Sequence, residues 1–148
     1  MSNSPLYHLI WSSRPLMQRA EALVEQRLTG TGLTVRMRAV LEILARDGDC
    51  PVPELARRLE IQRQYVQVMV NETIAAGYAE KRDNPRHKAS PLICLTDRGQ
   101  KLIADVLAGE ARVVARMSEA LAADDIETAV AVVDRLLGLM DDEIEKRP

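Results

Sequence analysis

One stretch of the chain gathers polar side chains that can form paired hydrogen bonds with a planar partner. Asn and Gln can pair bidentately with adenine, and Arg can pair in the same way with guanine. The set therefore suits the reading of base edges in a DNA major groove, although the same residue types are also typical of any solvated helix face. The five residues lie in the segment QRQYVQVMVN: Gln62, Arg63, Gln64, Gln67 and Asn71.

A second candidate is the basic segment KRDNPRHK at residues 81–88, which holds four bases and one acid. The net charge of the whole chain is only −2, and residues 97–148 hold 12 acids and 7 bases. Positive charge concentrated at one place on a mildly acidic chain attracts phosphate locally. A solvated loop is the alternative interpretation of such a lone cluster.

Enzyme chemistry finds little support in the sequence. The only two histidines, His8 and His87, are far apart along the chain. Neither belongs to a metal-binding or nucleophile motif. We therefore expect no enzymatic activity, no cofactor and no metal site.

The composition is typical of one globular domain. The chain has 148 residues, of which 47% are apolar and 28% charged, and this length is enough for a single core. No apolar run approaches the ~18–20 residues that span a bilayer, and no export signal is apparent. Two cysteines are too few for a disulfide framework. We expect a cytoplasmic protein with no membrane partner.

Helical spacing of apolar residues dominates the chain around the two candidate segments. The sequence predicts a mainly α (α+β) fold, in which Pro15 kinks or restarts the first helix near Ser12–Arg14. Thr34 is the predicted N-cap of the second helix. Helices are predicted at 5–28, 35–47, 53–59, 62–76, 97–121 and 124–145, and strands at 78–82 and 92–95.

The order of these elements is more specific than any one of them. Two short helices joined by the turn EIQ, with polar residues facing outward on the second, have helix-turn-helix anatomy. A hairpin with a basic tip follows them directly. A basic loop beside a recognition helix is the arrangement of a winged helix, whose wing can reach the adjacent minor groove.

Residues 33–103 resemble the core of the multiple-antibiotic-resistance regulator (MarR) family of bacterial transcription factors. The matching stretches are LTVRMRAVLEIL, VPELARRLEIQRQYVQVMVNETIAAGYAEKR, NPRHK and LTDRGQKLI. The resemblance implies one domain over 1–148, with dimerisation helices at 1–32 and 97–148 and a winged helix-turn-helix DNA-binding lobe at 33–96. It also implies a homodimer, most often a ligand-responsive repressor, on a palindromic double-stranded DNA operator.

The wing departs from the family pattern Asp-Pro-x-Asp-Arg-Arg, which aligns here with residues 84–89. His87 replaces the second Asp, Lys88 the first Arg and Ala89 the second Arg. The usual minor-groove arginine is absent, so Arg86 or Lys88 must substitute for it. With the five residues named first, the expected DNA-contacting set therefore includes Arg86, His87 and Lys88. The departure leaves open a winged-helix protein–protein interaction module that has lost specific DNA binding.

The resemblance also implies an effector site between the dimerisation helices and the winged helix. Tyr7, His8, Trp11 and Arg14 cluster on the first predicted helix. They could line a pocket for a small aromatic or carboxylate effector. The alternative is that Tyr7 and Trp11 pack in the dimer core.

The two cysteines are a candidate redox pair. Cys50 is expected in the short strand before the first motif helix, and Cys94 in the second strand of the wing. These strands are neighbours in a winged helix, so the two sulfurs could approach within disulfide reach. The alternative is that both are small buried hydrophobic residues.

Overall fold

Residues 4–146 are described by the structure, a computed structural model, and they form six helices and three short strands. The order of these elements confirms the predicted mainly α fold with a winged helix-turn-helix core. The chain divides into two compact units, the first ending at Glu110 and the second beginning at Ala111. The elements are α1 (Pro5–Leu28), α2 (Val35–Asp47), β1 (Cys50–Pro51), α3 (Val52–Leu59), α4 (Arg63–Ala75), β2 (Ala79–Arg82), β3 (Leu92–Leu95), α5 (Asp97–Ser118) and α6 (Ala123–Glu145).

The three strands form one antiparallel sheet in the order β1-β3-β2. The hairpin pairs Ala79 with Leu95 and Arg82 with Leu92, so its loop spans residues 83–91. On the other side of β3, Cys50 pairs with Ile93. Because β1 leads directly into α3, this pairing anchors the hairpin to the helix-turn-helix.

Helices α2, α3 and α4 share one apolar core with the sheet. On α4 the apolar side chains recur at helical spacing, so that one face of the helix is buried. Thr73 is fully buried on this face, and its Oγ1 donates a hydrogen bond of 2.7 Å to the carbonyl of Met69. The hydroxyl is therefore not left unsatisfied in the core. The core includes Val40, Leu44, Leu55, Val66, Val70 and Ile93.

The start of α5 is held tightly against the chain that follows α4. The hydroxyl of Thr96 donates to the carbonyl of Gly77 at 2.7 Å and accepts from the N–H of Gly99 at 3.1 Å. A Cβ on Gly99 would lie 1.9 Å from the carbonyl oxygen of Tyr78. Only glycine fits this close approach.

Thr34 caps α2 as predicted, because its Oγ1 accepts from the N–H of Met37 at 3.2 Å. The restart predicted near Ser12–Arg14 does not occur, since α1 continues through Pro15 to Leu28. Pro15 removes only one backbone donor, so the helix loses a single hydrogen bond there. In the preceding turn the Ser12 hydroxyl donates an additional hydrogen bond of 2.8 Å to the carbonyl of His8.

Helix α5 ends at Ser118 rather than at the predicted Leu121. The N–H of Leu121 bonds to the carbonyl of Ser118 at 3.1 Å, a three-residue step that replaces the α-helical one. Such tighter turns are common at helix ends. Among residues 4–146, no helix has the length and apolar character of a membrane span.

Candidate nucleic-acid interface

A tight turn presents α4 on the surface of the first unit. Glu60 follows α3 in the left-handed conformation, with φ 54° and ψ 37°. Its N–H bonds to the carbonyl of Arg57 at 3.3 Å, and the N–H of Ile61 bonds to that of Ala56 at 3.2 Å. The chain thus passes from α3 to α4 through a turn of only three residues, 60–62. Helix α4 begins at Arg63, one residue later than predicted, with Gln62 as its N-cap residue.

Helix α4 has one buried face and one solvent face. Val66, Met69, Val70 and Thr73 are buried. At about 100° per residue, Gln64 lies roughly opposite this group. Of the five polar residues singled out from the sequence, Gln62, Arg63, Gln64 and Asn71 are exposed and Gln67 is half-buried.

Two of these amides interact with each other. The Nε2 of Gln67 donates a hydrogen bond of 3.0 Å to the Oδ1 of Asn71, one turn further along α4. This bond restricts both side chains. The second N–H of the Gln67 amide and the Nδ2 of Asn71 can still donate hydrogen bonds, and the side-chain Oε1 of Gln67 can still accept them. The pair therefore offers both donors and acceptors to a partner.

The wing loop is folded on itself by Asn84. Its Oδ1 accepts from the N–H of Arg86 at 3.0 Å, and its Nδ2 donates to the carbonyl of Ser90 at 2.9 Å. The N–H of His87 also bonds to the Asn84 carbonyl at 3.2 Å. These bonds fold the loop around Asn84 and leave the side chains of Arg86, His87 and Lys88 exposed.

The charges of the basic segment are not equivalent. The Arg82 guanidinium forms an ion pair of 2.6 Å with Glu80, and this hydrogen bond raises the pKa of Arg82 further above its usual value. Lys81 instead lines a small cleft of about 70 Å³ together with Arg63, Gln67 and Ser90. The cleft joins the start of α4 to the base of the hairpin.

Lys81 therefore belongs to this surface, although no sequence pattern distinguished it from the other bases of the segment. The one signal in the sequence that could have singled out Lys81 is its position between Glu80 and Arg82 in a short strand. Successive side chains of a strand point to opposite faces, but which face meets α4 depends on the tertiary packing.

The four residues proposed for an effector pocket lie on α1. Tyr7, His8, Trp11 and Arg14 are all exposed in the single chain. The rings of Tyr7 and Trp11 are neighbours, with centroids 6.0 Å apart and planes inclined by 57°. This aromatic pair faces solvent on one side of the helix.

The register of the sheet favours the second of the two alternatives for the cysteines over the redox pair. Cys50 pairs with Ile93, so Cys94, the next residue of β3, points to the opposite face of the sheet. Both cysteines are free and buried, and burial raises the pKa of each thiol to about 11. They fit the alternative of small buried hydrophobic residues. No group of three or more potential metal-ligating side chains occurs within the described part of the chain.

Comparison with known proteins agrees with this architecture. A family model described as "MarR family" matches residues 31–90. The crystal structure of MarR family transcription regulator SP03579 is 31% identical, with a TM-score of 0.89, and the match covers 96% of this chain and 94% of that one.

Two further proteins match this chain in sequence. The HTH-type transcriptional repressor MdtR of Bacillus subtilis is 24% identical over 125 residues, which cover 84% of this chain and 81% of that protein. An uncharacterized protein of Mycobacterium tuberculosis is 46% identical over 52 residues. That match covers 35% of this chain and spans 36% of the relative's length. Given the winged helix-turn-helix, its basic wing and the near full-length match to SP03579, this chain belongs to the MarR family of transcription regulators.

Proposed function

We propose that the protein is a sequence-specific transcriptional repressor that binds a DNA operator as a homodimer in the cytoplasm. The observation that carries this proposal is the cleft shared by Arg63 and Gln67 of α4 and Lys81 of the hairpin. It makes the exposed face of α4 and the wing parts of one polar, basic surface. The name of the relative MdtR, a repressor, supports repression over activation.

Each part of this surface has its own role in the proposal. The exposed face of α4 enters the major groove, where Gln64, Gln67 and Asn71 meet base edges. The wing lies along the neighbouring backbone, where Arg86 and Lys88 neutralise phosphates. A lysine cannot reproduce the flat, weakly hydrated fit of arginine in a minor groove. The wing therefore contributes affinity more than sequence choice.

The homodimer is proposed from apolar surfaces that one chain leaves in water. Helix α1 exposes Leu6, Leu9 and Trp11, and α6 has no buried residue along its described length of Ala123–Glu145. Burying such faces against a second copy is favourable. We expect a total buried area above roughly 2,000 Å², which is the obligate range. The large apolar side chains that α6 exposes include Val130, Val132, Val133, Leu137, Leu139 and Ile144.

A two-fold dimer requires a palindromic operator. Its two recognition helices would lie about 34 Å apart, one turn of DNA.

The homodimer can be tested without DNA. Sedimentation at micromolar concentration should give a species of twice 16.5 kDa. A stable, folded monomer under these conditions would contradict the proposed assembly.

The test of DNA reading is selection of bound sequences from random duplexes. We expect a palindrome to be enriched, and Gln64→Ala or Arg63→Ala to weaken its binding by about 1–3 kcal/mol. Gln100→Ala, which removes an exposed amide from α5, is the matched control and should bind like the wild type. If neither α4 variant changes the affinity, the DNA-reading surface lies elsewhere.

A protein–protein interaction module is the second candidate, and the observation in its favour is Ala89 in place of the usual wing arginine. The two functions differ in the same selection experiment. A module without DNA reading would enrich no sequence and would bind all duplexes with equal, weak affinity.

The ligand response is proposed for the aromatic pair on α1. Trp11 is the only tryptophan of the chain, so its fluorescence reports on this surface. We expect benzoate, a small aromatic carboxylate, to change the Trp11 emission and to release the operator. Benzoate would change neither the Trp11 emission nor operator binding if Tyr7 and Trp11 belong to the dimer core instead. In that case the Trp11 emission should shift when the protein is diluted until the dimer dissociates.

A further inference from the structure

The solvent face of α4 is interrupted by one half-exposed aliphatic side chain. Val68 is 50% exposed, although it lies in the middle of the helix. At 3.6 residues per turn it is about 40° around the axis from Gln64 and about 60° from Asn71. Val68 thus occupies the same outward ridge as the two amides, on the side of α4 away from its buried face.

The packing of the chain does not account for a valine at this position. Val68 belongs neither to the core shared by α2, α3, α4 and the sheet nor to the second apolar cluster of the described residues, which includes Leu41, Tyr78 and Ile103. A β-branched side chain is also a poorer helix former than alanine. Neither core packing nor helix propensity therefore requires this valine.

The major groove offers one apolar group that such a side chain can contact, the C5-methyl of thymine. An A·T pair presents this methyl together with the adenine N6 and N7 atoms that Gln and Asn recognise. A ridge of amide, valine and amide is therefore complementary to a run of A·T pairs. Guanine and cytosine offer no comparable apolar group in this groove.

We propose that Val68 is a specificity-determining residue that packs against a thymine methyl in each half of the operator. The proposal rests on the proposed function and refines it, because it names the base that faces the middle of α4. Tyr65, another exposed apolar side chain of α4, is about 100° around the axis from Gln64, and Ile61 precedes the helix. Tyr65 lies on the side of Val68 away from Gln64 and Asn71, so it does not separate Val68 from the two amides.

The test replaces single thymines of the selected operator with deoxyuridine, which differs from thymidine only by the missing methyl. For the wild type we expect one position in each half-site where this change weakens binding about three- to fivefold, the value of one buried methyl. Val68→Ala should bind the thymine duplex more weakly by a similar factor and should no longer distinguish uracil from thymine there. Val68→Thr keeps one methyl group and should retain part of the discrimination.

Two controls separate recognition from folding. Val68→Ala should melt at the wild-type temperature or slightly above it, since alanine favours the helix and the removed atoms are half-exposed. Gln64→Ala should weaken binding but keep the sensitivity to uracil. If wild-type protein enriches no sequence, both this proposal and the proposed function fail. If it enriches a sequence but no uracil substitution matters, or Val68→Ala keeps the same sensitivity, only the assignment to Val68 is overturned.

Discussion

Arg38 of α2 and Glu110 of α5 form a two-pronged ion pair, 72 positions apart in the sequence. The Nε of Arg38 donates to the Oε1 of Glu110 at 2.6 Å, and the Nη2 of Arg38 donates to the Oε2 of Glu110. The Nη1 of Arg38 donates to Glu42 at 2.7 Å. The hydrogen bond to Glu110 raises the pKa of Arg38 although burial opposes this shift. The pair thus joins α2, which is part of the helix-turn-helix core, to α5 just beyond the middle of that helix.

This pair is expected to stabilise the fold more than a surface ion pair does. The side chains of Arg38 and Glu110 are only 16% and 18% exposed. Arg38→Met leaves two carboxylates partly buried without their cation, so we expect a loss of about 2–3 kcal/mol in the free energy of unfolding. The measurement is the urea midpoint at fixed protein concentration.

The pair between Arg36 and Glu72 is the matched control, because its side chains are 63% and 32% exposed. Arg36→Met should therefore cost less than about 1 kcal/mol. Equal losses for Arg38→Met and Arg36→Met would show that burial adds nothing to the Arg38–Glu110 pair.

Gly99→Ala should destabilise the protein because there is no room for the added methyl. Its Cβ would lie 1.9 Å from the Tyr78 carbonyl oxygen, and that oxygen already accepts from the N–H of Thr96 at 3.1 Å. We expect Gly99→Ala to lower the free energy of unfolding by about 1–3 kcal/mol, the usual cost of overpacking. Gly138→Ala in α6 has no neighbouring atom within 4 Å in the single chain, so within that chain the added methyl meets no clash and the helix gains about 0.5–1 kcal/mol. Thermal melts of both variants test the contrast, and a neutral Gly99→Ala would contradict the close approach.

The wing should act through salt-dependent contacts. Arg86→Ala and Lys88→Ala each remove an exposed cation from the folded loop. For every phosphate that the protein no longer neutralises, the slope of log affinity against log salt should become shallower by about 0.9. Lys146→Ala at the end of α6 is the control and should leave the slope unchanged. Wild-type slopes for both wing variants would mean that the tip does not touch the DNA backbone.

The cysteines should be unreactive until the protein unfolds. An ordinary thiol ionises near 9.0, whereas burial raises the pKa of Cys50 and Cys94 to about 11. At pH 8 iodoacetamide should label neither in the folded chain and both in urea. Between pH 9 and 11 the folded chain retains more protons than the unfolded one, so these thiols make the free energy of unfolding fall as the pH rises. Rapid labelling of the folded protein, or a change in operator affinity with dithiothreitol, would contradict this expectation.

The sequence by itself determined the elements and their order. Helical spacing on α4, the cap at Thr34 and the hairpin before α5 are local patterns, since a helix repeats every 3.6 residues and a strand every two. The outward position of Gln64 and Asn71 follows from the same period. The winged helix-turn-helix, and with it the family, could therefore be predicted from the residues alone.

Only the tertiary structure decided which distant residues meet. The register of β1 against β3 sets Cys50 opposite Ile93, and a shift of one residue would have brought the other face of β3 to it. The Arg38–Glu110 pair, the closeness of Gly99 to Tyr78 and the cleft at Lys81 likewise join segments that no local period relates. These contacts depend on how the helices and the sheet pack together, which is a property of the whole core and not of any one stretch of sequence.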